Sequence, residues 1–118
     1  MDIEYFREYC LRKKGVTEEL PFDQDTLVFK VMGKMFAITG IDSFESINLK
    51  CDPKHAQELR EKYQAVIPGY HMNKKHWNTV IMDGSLPDQS VLTWIDDSYN
   101  LVMAGLPRKI RDELAKFD

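Results

Sequence analysis

The sequence is short of almost every signature by which small enzymes are recognised. Only two cysteines occur, Cys10 and Cys51, and they do not form a CxxC pair. That excludes the thiol pairs of zinc ribbons and redox sites, so reduced, partly buried thiols of a cytosolic protein are expected. The glycines are isolated and neither GxGxxG nor GxxxxGK[ST] occurs, which excludes the usual phosphate cradles. No serine stands in a GxSxG context. The chain lacks an apolar leader and any run approaching the ~20 apolar residues that span a bilayer, so no membrane contact and a cytoplasmic location are expected. It also lacks a dominant charge: 16 Lys and Arg stand against 19 Asp and Glu, a formal balance of −3. A nonspecific nucleic-acid binder usually carries a strong positive balance, so phosphate contacts here must come from a local patch.

What remains is ordinary for a globular chain, with 43% hydrophobic and 30% charged residues. At 118 residues there is room for one core, so a single domain over residues 1–118 and a monomer are expected. Residues 2–14 read as a helix, with Ile3, Phe6 and Cys10 at helical spacing and Gly15 as its stop. Residues 16–25 read as a loop containing Pro21. Leu27–Met32 and Met35–Thr39 read as a hairpin across Gly33-Lys34, in a type II′ turn with glycine first. Glu45–Lys50 is a further strand. Asp52-Pro53 starts a helix with a capping carboxylate and proline at the first position, and that helix ends near Tyr63. Trp77–Met82 is a strand. A long helix opening at Ser85–Asp88 buries Leu92, Ile95, Tyr99 and Val102, and a last short helix carries Ile110, Leu114 and Phe117. The order α, hairpin, β, α, β, α, α gives an α+β class: an antiparallel sheet with helices packed on it.

Candidate chemistry concentrates in one segment, Pro68 to Asn78. The three histidines, His55, His71 and His76, have no Cys or carboxylate at zinc-ligand spacing, so no metal site is expected. Cys51 and His55 lack a third orienting group, and adjacent Asp96 and Asp97 point about 100° apart on a helix and read as a solvated face. No enzyme and no cofactor are therefore expected. In the remaining segment, Lys74 and Lys75 can neutralise phosphates, and Asn73 and Asn78 can hydrogen-bond to phosphates or base edges. Tyr70, His71 and Trp77 can stack on bases or line a pocket, although Trp77 also reads as core. Arg108, Lys109 and Arg111 form a second basic set, followed at once by Asp112 and Glu113, and read as a solvated helix face.

Four segments together resemble the MmcQ/YjbR family of small bacterial proteins. They are residues 28–37 (VFKVMGKMFA), 48–53 (NLKCDP), 70–78 (YHMNKKHWN) and 97–102 (DSYNLV). The resemblance implies a compact CyaY-like α+β fold and no established catalytic residues. It also implies a description as a DNA-binding protein with a double-wing arrangement, a label that rests on fold comparison. Frataxin-like iron handling would need an acidic ridge on the first helix, whereas Asp2, Glu4 and Glu8 are interleaved with Arg7, Arg12 and Lys13.

Two readings of the key segment follow. In the first, His71, Asn73, Lys74, Lys75 and His76 contact DNA, with Lys30 and Lys34 on a wing formed by the hairpin. In the second, Tyr70, His71, Asn73, His76 and Trp77 line a site for an anionic or planar small ligand, or for a protein whose identity the sequence does not specify.

Overall fold

In the computed structural model, which describes residues 1–117, the Asp2 carboxylate accepts the Tyr5 N–H at 2.8 Å and starts helix α1 (Ile3–Leu11). The helix stops one turn earlier than its sequence pattern suggests, and Gly15 turns the chain at φ +71°. Strand β1 (Val16–Glu19) follows, in a stretch that reads as loop, and pairs with β2 (Thr26–Val31). The hairpin continues through β3 (Lys34–Gly40), with β4 (Ser46–Lys50) beside it. Asp52 then accepts the N–H groups of Lys54 and His55 and caps α2 (Pro53–Lys62). A cap of this kind contributes ~1 kcal/mol.

Strand β5 (Val66–Pro68), also unpredicted, pairs with β6 (Trp77–Ile81). Helices α3 (Asp88–Ala104) and α4 (Arg108–Leu114) complete the chain. Phe117 lies beyond the end of α4 and is half exposed, instead of joining its buried face. The six strands form one antiparallel sheet in the order β1-β2-β3-β4-β6-β5, so the two unpredicted strands are its two edges. No helix among the described residues is long and apolar enough to cross a membrane.

The β2–β3 turn differs from expectation. Lys34 is a strand residue opposite Val31, and the two-residue loop is Met32-Gly33. Both have positive φ, +48° and +88°, which is the type I′ geometry that matches strand twist. A bulge opposite Phe29/Lys30 breaks the alternation of β3. It lets the consecutive residues Phe36 and Ala37 both enter the main core.

The helices cover one face of the sheet. Leu27, Phe29, Val31, Ile47, Leu49 and Val80 point into that layer, where Phe6 meets Phe29 edge-on at 5.4 Å and Phe36 meets Tyr99 at 5.5 Å. Burying each such ring stabilises by ~1.5–3 kcal/mol. Buried Ser98 ties α3 to the sheet, donating to the Phe36 carbonyl and accepting the Lys50 N–H. The opposite face has no helix among the described residues. Val28, Ile38 and Trp77 form a smaller cluster there, packed by Met35 and Met72. The register places Thr26, Lys30, Ser46, Asn48 and Thr79 on that same open face.

Candidate functional site

The loop between β5 and β6, residues 69–76, turns back over the open face as a flap. Gly69 permits the turn: a Cβ there would stand 2.8 Å from Trp77 Cβ and 2.9 Å from the Trp77 carbonyl oxygen. Three interactions hold the flap. The Tyr70 N–H donates to Thr79 Oγ1 at 2.9 Å, and that hydroxyl donates to Asn48 Oδ1 at 2.5 Å. Met72 packs on the Val28–Ile38–Trp77 cluster. From behind, Arg60 of α2 donates through Nε to Asn78 Oδ1 at 2.6 Å and through a terminal nitrogen to the carbonyls of Lys74 and Trp77. Charge-assisted bonds of this type are worth ~1.5–3 kcal/mol each.

The residues singled out in the sequence separate into two groups. Asn73 is a turn builder: its Oδ1 accepts the Lys75 N–H at 2.9 Å, so its side chain is occupied by its own loop. Lys74 Nζ donates to the Gly69 carbonyl at 3.1 Å and braces the flap internally. Lys30 is paired with Glu19 at 2.7 Å. Trp77 is only 7% exposed and is core. His76 is half-buried, and its carbonyl accepts the Cys51 N–H. Asn78 is buried between Arg60 and the Ala56 carbonyl, facing the helices instead of solvent. Lys34 and Lys75 are exposed. Since Lys50 stands opposite Trp77 and Lys34 opens β3, the hairpin tip and the flap lie at the same end of the sheet.

Tyr70 and His71 behave differently. Tyr70 is 66% exposed, and its ring lies 4.0 Å from the His71 ring, centroid to centroid. His71 has φ +59°, a conformation that costs a non-glycine residue of the order of 1 kcal/mol or more. Both line a groove of about 380 Å³ on the open face, with Met35, Ile38 and Met72 as its apolar floor. Thr26, Ser46 and Asn48 supply polar edges. Phe22, 68% exposed, forms the facing rim. That rim is fixed by Asp23, which accepts the N–H groups of Thr26 and Asp25 and the Thr26 hydroxyl. The Thr26 and Asp25 N–H groups hold the Asp23 carboxyl below its usual range. The relay through Thr79 occupies Asn48 Oδ1 and leaves the Asn48 amide N–H groups without a protein partner among the described residues. Among the described residues no Asp, Glu, Lys or Arg lines the groove, so an anionic ligand is not what it suits.

Sequence reasoning missed Phe22, Asn48 and Met72 as groove residues. The only available signals were an aromatic next to Pro21 in a loop and the outward face of a strand.

The other chemical grouping is Cys51, whose Sγ lies 3.6 Å from His55 Nδ1. Burial, then Asp52 and Asp97, push the Cys51 thiol up to about 11, which suppresses the thiolate a nucleophile requires. Burial pushes the Cys10 thiol up to about 12. No group of three or more potential metal ligands occurs among the described residues. Asp96, read as solvated, instead accepts the Tyr9 hydroxyl at 2.7 Å and the Lys13 ammonium at 2.5 Å, fastening α1 to α3.

Comparisons with known proteins place relatives beside this geometry. The YjbR family model matches residues 11–101. The Escherichia coli K12 protein YjbR, described as uncharacterized, is 33% identical over 117 residues, covering 98% of this chain and 99% of its own. The crystal structure of the Deinococcus radiodurans protein DR2400 superposes with a TM-score of 0.88 at 39% identity, over 96% of this chain and 87% of that one. A Pseudomonas syringae crystal structure gives a TM-score of 0.72 at 30% identity, over 86% of this chain and 98% of that one.

Proposed function

The chain belongs to the YjbR family, and from that premise and the geometry of its open sheet face we propose a non-catalytic module that binds a small, planar, uncharged ligand. The observation that carries this reading is the groove between the Phe22 rim and the Tyr70-His71 flap. Two large aromatic side chains stand mostly in water on either side of an apolar floor. Exposed aromatics facing one another across a concave surface fit an insertion site better than a fold requirement. The size falls within the ~300–1,000 Å³ range of ligand sites, and a few oriented polar groups on an apolar lining are what such sites use for specificity. Asn48, which lines the groove and whose Oδ1 is taken by Thr79, supplies the orienting donor through its amide N–H groups. Support for the non-catalytic part comes from the raised Cys51 thiol, which is set beside His55.

A thermal-shift screen against neutral planar compounds tests the proposal. Hits should raise the Tm of the wild type, and Tyr70→Ala combined with Phe22→Ala should abolish the rise while leaving the ligand-free Tm near that of wild type. Binding to the native state alone stabilises by about 2.7 kcal/mol at a hundred times Kd, so even modest affinity is visible. Hits that stabilise the double variant equally would remove the groove from the binding site.

DNA binding is the second reading, favoured by Lys34 and Lys75 lying at one end of the sheet. Its weakness is number. With Lys30 paired to Glu19 and Lys74 braced on Gly69, two cations give a salt slope of about −2, against the 6–10 phosphate contacts of strong binders. Fluorescence anisotropy of labelled duplex at ~50 and ~200 mM salt should therefore report weak binding at most. Tight binding lost in Lys34→Ala plus Lys75→Ala would make this the leading reading.

A further inference from the structure

A different surface concentrates positive charge that the sequence scatters. The chain leaves α1 through Arg12, Lys13 and Lys14, turns at Gly15, and seats that turn on α4. The contact is close: a Cβ on Gly15 would stand 2.5 Å from Leu114 Cδ1. Arg111 lies one helical turn before Leu114, on the same side of α4. The basic triplet and Arg111 thus flank one place. They line a groove of about 490 Å³ whose floor is Tyr99, Met103, Leu114 and Ala115. A neighbouring groove of about 440 Å³ shares Arg12, Lys13 and Lys14. Among the described residues neither lining contains an Asp or Glu, in a chain where acids outnumber bases.

The groove is also braced. The Tyr99 hydroxyl donates to the Lys14 carbonyl at 2.6 Å, and the Met32 N–H donates to the Gly15 carbonyl at 3.1 Å. Lys13 is held by Asp96 and lies 4.9 and 5.3 Å from the Tyr9 and Tyr99 ring centroids. Its charge is therefore largely answered within the protein. Arg12, Lys14 and Arg111 are exposed, and the contact of Arg12 with Glu8, at 3.9 Å between mostly exposed groups, is weak.

We propose that this groove between the end of α1 and α4 is a second binding site, specific for a soluble organic anion: a phosphate, sulfonate or carboxylate group carried on an apolar body. Arg12, Lys14 and Arg111 receive the anionic group, with the two guanidinium forks suited to paired oxygens. Tyr99, Met103 and Leu114 receive the apolar body. The concavity selects a single molecule over a flat bilayer surface. The site is separate from the open-face groove and does not depend on it.

The test is NMR titration of the ¹⁵N-labelled chain with three probes: 8-anilinonaphthalene-1-sulfonate, its uncharged analogue N-phenyl-1-naphthylamine, and inorganic phosphate. The sulfonate should shift the amides of Tyr99, Met103 and Leu114 saturably, and the other two should bind far more weakly. Arg12→Gln, Lys14→Gln and Arg111→Gln together should raise the Kd for the sulfonate by about tenfold or more, with the circular dichroism spectrum unchanged. In the wild type, higher salt should weaken it in the same sense. Equal affinity for the uncharged analogue, an unchanged Kd in the triple variant, or shifts confined to another surface would overturn the proposal. So would sedimentation with phosphatidylglycerol vesicles that the triple variant abolishes, which would reassign the patch to a membrane surface.

Discussion

At the scale of single residues, the flap depends on Arg60. One guanidinium satisfies at once the buried Asn78 amide oxygen, the Lys74 carbonyl of the loop and the carbonyl of Trp77, which opens β6. Arg60→Ala should cost ~2–3 kcal/mol in urea unfolding, because it strands a buried acceptor as well as removing charged hydrogen bonds. Amide exchange in residues 70–76 should speed up by more than that global loss accounts for. Equal changes throughout the chain would show that Arg60 supports the core and not the flap. Residue roles were only partly legible in the sequence. Trp77 showed itself as core through strand alternation. Asn73 is taken by the Lys75 N–H two residues on, a local turn, whereas Lys74 and Lys30 looked like ligand contacts because nothing local reveals that the Gly69 carbonyl or Glu19 already occupies them. Those partners are set by the sheet register and by loop closure.

The two thiols give a prediction in pH. Both have folded values raised above the ordinary 9.0, Cys10 to about 12 and Cys51 to about 11, chiefly by burial. The unfolded chain loses these protons first as pH rises, so it binds fewer protons than the native state above pH 9. Stability from this source is therefore complete below pH 9 and falls through pH 11–12. Tyr9, pushed up to about 12 by burial and by its hydrogen bond to Asp96, acts in the same direction. The urea midpoint should hold between pH 7 and 8.5 and decline above 9. A midpoint that rises over that upper range would contradict the burial of these groups.

At the scale of elements, the long, strongly patterned pieces were legible: the central hairpin, β4, β6 and the helices. The two edge strands were not. Val16–Glu19 carries two glutamates, and Val66–Pro68 has only three residues and ends in proline. Charge, brevity and proline are how proteins blunt sheet edges, and the same devices erase the strand signal. The turn register was misread for a related reason, since Met32 adopts a positive φ that its residue type disfavours. The link between β6 and the flap is testable. Thr79→Val keeps shape but removes the hydroxyl between the Tyr70 N–H and Asn48. It should destabilise by ~1 kcal/mol and weaken groove ligands. If affinity is unchanged, Asn48 does not orient the ligand.

At the scale of the whole molecule, the helices cover one sheet face, leaving the other to a small apolar cluster and a folded-back loop. The α+β class followed from element order, but the asymmetry between faces did not. Val28 alternates with the core residues Leu27, Phe29 and Val31, the bulge hides the facing of Ile38, and only the flap shows what covers them. Charge is distributed in the same uneven way: among the described residues no Asp, Glu, Lys or Arg lines the open-face groove, while four cations line the groove at the end of α1. A net balance of −3 conceals both. The central claim is that the open face is the recognition surface. An ¹⁵N NMR titration with a panel of neutral planar fragments, beginning with indole, tests it most directly. The account predicts saturable shifts at Ile38, Asn48, Tyr70 and Met72 that disappear in Tyr70→Ala. Saturable shifts confined to other surfaces, or none on this face for any fragment, would contradict it.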